Sequence, residues 1–238
     1  MTRTNLQPLR VAITGGTSGL GAALVAELAG RHARVAFVAR HRDAIDRTRQ
    51  QVPDASGIVG DVARKQDIHP IAMQIVAALG GLDVLINNAS SLGPVPLAPL
   101  ADTECEDLEI ALATNLVGPF RLTRALLGTL AASARDGGHP LVINISSDAA
   151  VTPYPGWGAY GASKAALLHL TRIWDAELAS EGVRLVSVDP GDMDTPLHAA
   201  AVPDADPSTL KRPETAAREI ARLVAEMTRG SVLADVGR

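Results

Sequence analysis

A short apolar run at residues 9–14 passes directly into Gly15-Gly16-Thr17-Ser18-Gly19-Leu20-Gly21, and Leu20, Leu24 and Leu28 then recur at four-residue intervals as far as Gly30. Apolar residues four apart share one face of a helix, and a glycine is a common place for it to stop. Residues 35–39 form a second apolar run. Strand, glycine turn, helix, strand is a βαβ unit, whose crossover is right-handed in nearly every known case. Each glycine has its own task in this unit. Gly15 lets the chain turn sharply off the strand, Gly19 lets backbone approach a ligand, and Gly21 lets the helix pack against the sheet. The N–H groups and dipole at the start of such a helix attract a pyrophosphate. The spacing Gly-x-x-x-Gly-x-Gly differs from the Gly-x-Gly-x-x-Gly of the dinucleotide fingerprint. A glycine-rich turn without a ligand is therefore the alternative, but a place in the first βα turn favours nucleotide binding. A nucleophile elbow is excluded, because Leu20 stands where its second glycine belongs.

Ala39-Arg40-His41-Arg42 follows the second strand. In a dinucleotide-binding unit this strand end meets the adenosine ribose. An acidic residue there favours NAD, whereas an arginine accommodates the 2′-phosphate of NADP. Arg40 thus predicts NADP(H), with a solvated basic turn as the alternative; Asp43 comes one helical turn too late. A third strand at 58–60 leads to Asp61-Val62, where the carboxylate would accept from an adenine amino group or cap the next turn. Ile68, Ile71, Ile75 and Leu79 mark a helix, and a strand at 83–87 ends in Asn87-Asn88-Ala89-Ser90. A long helix is predicted over 104–130, capped by Asp102 or Thr103 and interrupted at Asn115 and Gly118-Pro119. Then come a strand at 141–146 ending in Ser146-Ser147, a helix at about 160–180, and a strand at 183–188 before Asp189-Pro190-Gly191. A loop-like stretch covers 192–212, a helix starts at Pro213, and a last strand is expected at 231–234. Strands alternating with helices predict an α/β fold, a parallel sheet with helices on both faces, and ligands at the strands' carboxyl ends. The Gly15 turn, Arg40, Asp61, Asn88, Ser147 and Pro190 all fall at such ends.

Tyr160 and Lys164 lie four apart at the start of a helix and so share a face. An ammonium beside a phenol favours the phenolate and lowers a pKa that is ordinarily about 10. Such a phenol exchanges protons with a carbonyl or an alcohol. Taken alone, the pair also occurs by chance on amphipathic helices.

Composition narrows the classes. The chain has 238 residues, of which 47% are hydrophobic, enough for one folded domain with a substantial core. The net charge of −4 comes from scattered residues, with no basic stripe for nucleic acid. Cys105 is the single cysteine, so no intrachain disulfide or Cys-x-x-Cys site exists. The histidines show no metal-ligand spacing. No apolar run is long enough to span a membrane, and the polar start through Gln7-Pro8 shows no signal region, so a cytoplasmic location is expected.

On Thr14-Gly15-x-x-x-Gly19-x-Gly21, Asn87-Asn88-Ala89, Asn115, Ser147, Tyr160-x-x-x-Lys164 and Pro190-Gly191, the chain resembles the short-chain dehydrogenase/reductase family over nearly its whole length. The resemblance implies a Rossmann-like, doubly wound single domain over 1–238. Residues 9–90 would form mainly the cofactor half, and 91–238 the catalytic and substrate half, with a substrate loop near 192–212. It implies a catalytic tetrad. Tyr160 would transfer the proton and Ser147 would hydrogen-bond the substrate oxygen. Lys164 would bind the nicotinamide ribose and depress the Tyr160 pKa, and the Asn115 backbone carbonyl would hold a water in a relay to Lys164. The implied cofactor contacts are Gly15, Thr17, Ser18, Gly19, Leu20, Arg40, Asp61, Val62, Asn88, Ala89, Ser90, Tyr160, Lys164, Pro190 and Gly191, with Met193 and Thr195 toward the carboxamide. Ser147, Tyr154, Trp157 and Tyr160 are the candidate substrate contacts. Tyr154, Trp157, Met193 and His198 suggest a mainly apolar cavity with a few polar contacts; Tyr154 and Trp157 read equally well as packing anchors, and His198 reads as an exposed loop residue rather than a catalytic one. Ser90 replaces the family's usual Gly, Asp189 its usual Asn, and the ending lacks the common Asp-Gly-Gly. By resemblance a homodimer or homotetramer is expected, paired through the two long helices. The implied reaction is reversible hydride transfer between NADP(H) and a small carbonyl or alcohol substrate, with no metal. The alternatives are a dinucleotide sensor without turnover, or an epimerase or dehydratase that uses the cofactor transiently.

Overall fold

The structure, a computed structural model, describes residues 8–229; the strand expected at 231–234 lies outside them. The described elements are β1 (Arg10–Thr14), α1 (Gly19–Gly30), β2 (Arg34–Ala39), α2 (Arg42–Gln51), β3 (Ser56–Val59), α3 (Ile68–Leu79), β4 (Val84–Asn87), α4 (Cys105–Leu112), α5 (Gly118–Arg135), β5 (Leu141–Ile145), α6 (Gly158–Leu178), β6 (Arg184–Val188), α7 (Pro196–Ala201) and α8 (Pro213–Thr228). The strands form one sheet in the order β3-β2-β1-β4-β5-β6, every pair parallel.

Both faces of this sheet are covered, which is why its strands read as unbroken apolar runs rather than as alternating ones. Val11, Ile13, Val84, Ile86 and Ile143 point to the face packed by Leu24, Leu28, Ile220 and Val224 of α1 and α8. Their neighbours Ala12, Leu85 and Val142 point to the face packed by Ile71, Ile75, Leu122 and Leu126 of α3 and α5. The strand order reverses between β1 and β4, so the connections leave these two strands in opposite directions. A crevice opens there at the carboxyl ends. At the opposite, amino-terminal end, Asp83 accepts from Arg10 Nε (3.0 Å), Arg10 NH2 (2.8 Å) and Ser133 Oγ (2.7 Å), joining β1, the start of β4 and α5.

Two sequence expectations need correction. The long helix begins with Glu104 at its N-cap, without a side-chain cap. The Thr103 hydroxyl is used on the carbonyls of Ala98 and Pro99 instead. The helix is also divided: a five-residue π turn, Ala113–Val117, separates α4 from α5 and buries Asn115. The segment 192–212 is not all loop. Thr195 caps α7 by accepting from His198 N, with Pro196 in the first turn, a start signal common to many helices. Lys211 N donates to Asp192 O and Asp194 N to Lys211 O, 3.0 Å each, closing the ends of this excursion over the crevice.

Candidate active site

The crevice holds a cavity of about 450 Å³. Every residue expected to contact a cofactor lines it, from Gly15, Thr17, Ser18, Gly19 and Leu20 to Arg40, Asp61, Val62, Asn88, Ala89, Ser90, Tyr160, Lys164, Pro190, Gly191, Met193 and Thr195. Ser147 and Trp157 line it too, whereas Asn115 and Tyr154 do not.

The glycine turn is locked between two strand ends. Gly15 and Gly16 donate their N–H groups to Val38 O at 2.8 and 3.2 Å. Asn88 Nδ2 donates to the carbonyls of Thr14 (2.9 Å) and Gly15 (3.2 Å), and Thr14 Oγ1 accepts from the N–H groups of Asn88 and Ala89. Gly15 has φ +69°, in the left-handed region, and a Cβ on it would sit 2.9 Å from Ala89 Cα. A Cβ on Gly21 would sit 1.9 Å from Gly15 O. Gly21 therefore lets α1 approach the turn's own backbone, a closer partner than the sheet face expected for it. Arg40 is exposed at the rim, just past β2. Asp61 Oδ1 accepts from Ala63 N at 2.9 Å, so this carboxylate caps its turn while also facing the cavity.

At the other end α6 presents Tyr160 and Lys164 on one buried face, 7% and 2% exposed. Lys164 Nζ donates to Ile145 O at 2.7 Å and lies 5.5 Å from the Tyr160 ring centroid. Burial brings the Lys164 ammonium down from 10.5 to about 8. Burial pushes the Tyr160 phenol above its ordinary value, while hydrogen bonding to Ser147 and Ser90 acts the other way. The expected depression of the Tyr160 pKa by its cationic neighbour is thus reversed here. Losing water disfavours the phenolate, and the ammonium directs its hydrogen bond at a backbone carbonyl. Trp157 packs edge-on against the Tyr160 ring, with centroids 5.8 Å apart.

Asn115 is a strut with a fully used side chain. Its Oδ1 accepts from Ser91 N (2.8 Å) and Ser90 Oγ (3.2 Å). Its Nδ2 donates to Ser91 O (2.7 Å) and Ser163 Oγ (2.8 Å). The amide therefore joins the loop after β4 to α6, one turn past Tyr160. Ser147 Oγ accepts from Ala149 N at 3.2 Å and donates to Asp148 Oδ1 at 3.1 Å. Asp148 Oδ2 accepts from Tyr154 Oη at 2.6 Å. Tyr154 thus braces Asp148 without itself lining the cavity. His198 is the opposite case: its side chain is only 14% exposed and it lines the cavity, because α7 turns it inward.

Sequence reasoning missed Asp148, Ser91 and Ser163. Ser163 carried a signal, being three residues past Tyr160 and so on the same helical face. Asp148 carried only its adjacency to Ser147.

The family model described as short chain dehydrogenase matches residues 10–206. A glucose 1-dehydrogenase of Gluconobacter oxydans is 30% identical over 200 residues, covering 82% of this chain and 73% of that one. The 3-ketoacyl-(acyl-carrier-protein) reductase of Brucella melitensis, solved with NADH, superposes with a TM-score of 0.85 at 25% identity, covering 92% of each chain. An actinorhodin polyketide ketoreductase solved with NADPH gives 0.80 at 25% identity over 91% of each chain.

Proposed function

The chain belongs to the short-chain dehydrogenase/reductase family, and from that premise we propose that it is an NADP(H)-dependent oxidoreductase acting on a small carbonyl compound or secondary alcohol. The observation that carries this reading is the meeting of Tyr160, Ser147 and the glycine turn in one cavity.

The residues fit a dinucleotide. A side chain at Gly15 or Gly21 would collide with backbone, so the turn keeps a bare peptide surface where a pyrophosphate would rest at the start of α1. Arg40 would take the 2′-phosphate, and its exposed position beyond β2 supports NADP over NAD. Asp61 and Val62 would flank the adenine, and Met193 and Thr195 the carboxamide. When bound, the nicotinamide supplies hydride at C4. Ser147 would hydrogen-bond the substrate oxygen. Tyr160, kept protonated by burial, would deliver its proton to that oxygen, a contribution of about 10²–10⁴-fold. Lys164 would hold the nicotinamide ribose and replace the proton. Asn115 would act as a strut through its side chain and as a water ligand through its backbone carbonyl. The proposed setting is cytoplasmic, with a homodimer or homotetramer paired through α5 and α6.

The test is a panel of aldehydes and ketones, with NADPH consumption followed by its absorbance. The reading expects turnover with at least one compound class. Tight NADPH binding with no turnover across the panel would contradict it and favour a sensor on the same fold.

A further inference from the structure

A serine hydroxyl has one proton. That of Ser147, assigned above to the substrate oxygen, has the exposed Asp148 Oδ1 as an acceptor at 3.1 Å in this structure, in competition with Tyr160. A carboxylate is the stronger competitor for it, since hydrogen bonds to charged acceptors are roughly twice as strong as neutral ones. Asp148 is held charged. The short bond from Tyr154 is the largest influence keeping its pKa below the ordinary carboxylate range, with the Ser147 bond adding to it. Tyr154 stands outside the cavity, while Asp148 lines it. Among the described residues, the other charged or titratable groups lining this end are Asp189, Asp192, His198, Tyr160 and the buried Lys164. The ammonium of Lys164 is turned to the Ile145 carbonyl. A neutral or anionic ketone would therefore meet a serine already engaged and a carboxylate without a counter-charge from the cavity wall.

Building on the reductase reading, we infer that Asp148, clamped by Tyr154, is the substrate-selecting residue of this site: it favours carbonyl substrates that carry an ammonium group next to the carbonyl. Such a cation takes the place of the Ser147 hydroxyl on Asp148 Oδ1. The hydroxyl then turns to donate to the carbonyl oxygen, so one contact both binds the substrate and arms Ser147. A carboxylate-bearing ketone is repelled and leaves Ser147 on Asp148. Acting through Ser147 makes Asp148 a positioning residue as well as a selecting one.

The experiment uses three probes of similar size with the full chain: aminoacetone (cationic), butanone (neutral) and pyruvate (anionic). Affinity for the NADP complex is read from intrinsic tryptophan fluorescence, since Trp157 lines the cavity. Turnover is read separately from NADPH absorbance. Wild type is expected to bind aminoacetone about fivefold more tightly than butanone, the upper end for an exposed charge pair, and pyruvate most weakly. Asp148→Asn is expected to erase that preference and to raise kcat for butanone, because a neutral amide holds Ser147 less firmly. Tyr154→Phe keeps the carboxylate but loosens it, and is expected to give an intermediate preference. Equal affinities for aminoacetone and butanone in wild type, or a preference that survives Asp148→Asn, would overturn the inference. Binding preference without turnover of any probe would support Asp148 as the selecting residue and count against the reductase reading, so the two failures are distinguishable.

Discussion

Burial acts on Tyr160 and Lys164 in one chemical sense: it disfavours charge on both, raising the phenol and lowering the ammonium. A phenol that stays protonated through the neutral range is suited to donating to a carbonyl oxygen. An ammonium near 8 is suited to giving up and regaining a proton behind it. The lysine shift has a consequence for stability. Its pKa is 10.5 unfolded and about 8 folded, so between these values the unfolded chain binds more protons and stability rises with pH. The gain is present above 10.5 and is lost as pH falls through about 8. At roughly 1.4 kcal/mol per unit, its upper bound is about 3 kcal/mol. Urea unfolding at a series of alkaline pH values should show this rise in wild type and a flatter profile in Lys164→Met. Identical slopes in the two proteins would contradict the assigned burial. A second check uses the fact that the chain has only two tyrosines. In a Tyr154→Phe background, ultraviolet difference absorbance reports Tyr160 alone, and its ionisation should begin above the ordinary tyrosine value. Ionisation below that value would restore the opposite expectation drawn from sequence.

Asn115 shows what an element can hide. Its four hydrogen bonds hold the loop after β4 against α6, and the π turn gives its side chain the room to do so. π turns are rare and often occur at functional sites. Asn115→Ala would leave the Ser91 peptide groups and the Ser163 hydroxyl without that partner. Ser163 Oγ keeps its bond to Tyr160 O and Ser91 is only partly buried, so at about 1–3 kcal/mol for an unsatisfied buried group denaturant unfolding should show a loss within that range; an unchanged midpoint would refute the strut. Gly21→Ala brings a methyl to within 1.9 Å of Gly15 O, so calorimetry should find dinucleotide binding weakened at least tenfold. Unaltered binding would show that the turn can shift freely. The glycine turn was legible in sequence because its requirement is local: a tight turn excludes side chains. The breaker residues at 115–119 announced an interruption, but not its geometry. Nothing local distinguishes a kink from a π turn, and the partners of Asn115 lie 24 and 48 residues away. The helix α7 was passed over for the opposite reason, since its Thr-Pro start is local but its six residues carry no periodicity.

The whole molecule turns on the reversal of strand order between β1 and β4. The alternation of strands with helices foretold a parallel sheet, and from it the convergence of strand-end residues in one cavity, because every parallel strand delivers its carboxyl end to the same edge. Alternation says nothing of what happens beyond those ends. The pairing of Asp148 with Tyr154 and the inward turn of His198 depend on how loops fold over the crevice. At this scale lies the proposed choice of cofactor, which rests on Arg40 standing just past β2. Wild type should give a higher kcat/KM with NADPH than with NADH, and Arg40→Asp should reverse the order; a wild-type preference for NADH would overturn that assignment. The most direct measurement remains NADPH consumption with a responsive carbonyl compound in wild type and Tyr160→Phe, with NADPH affinity measured in parallel. The account predicts turnover lost in the variant and affinity nearly unchanged, whereas turnover equal to wild type would contradict it.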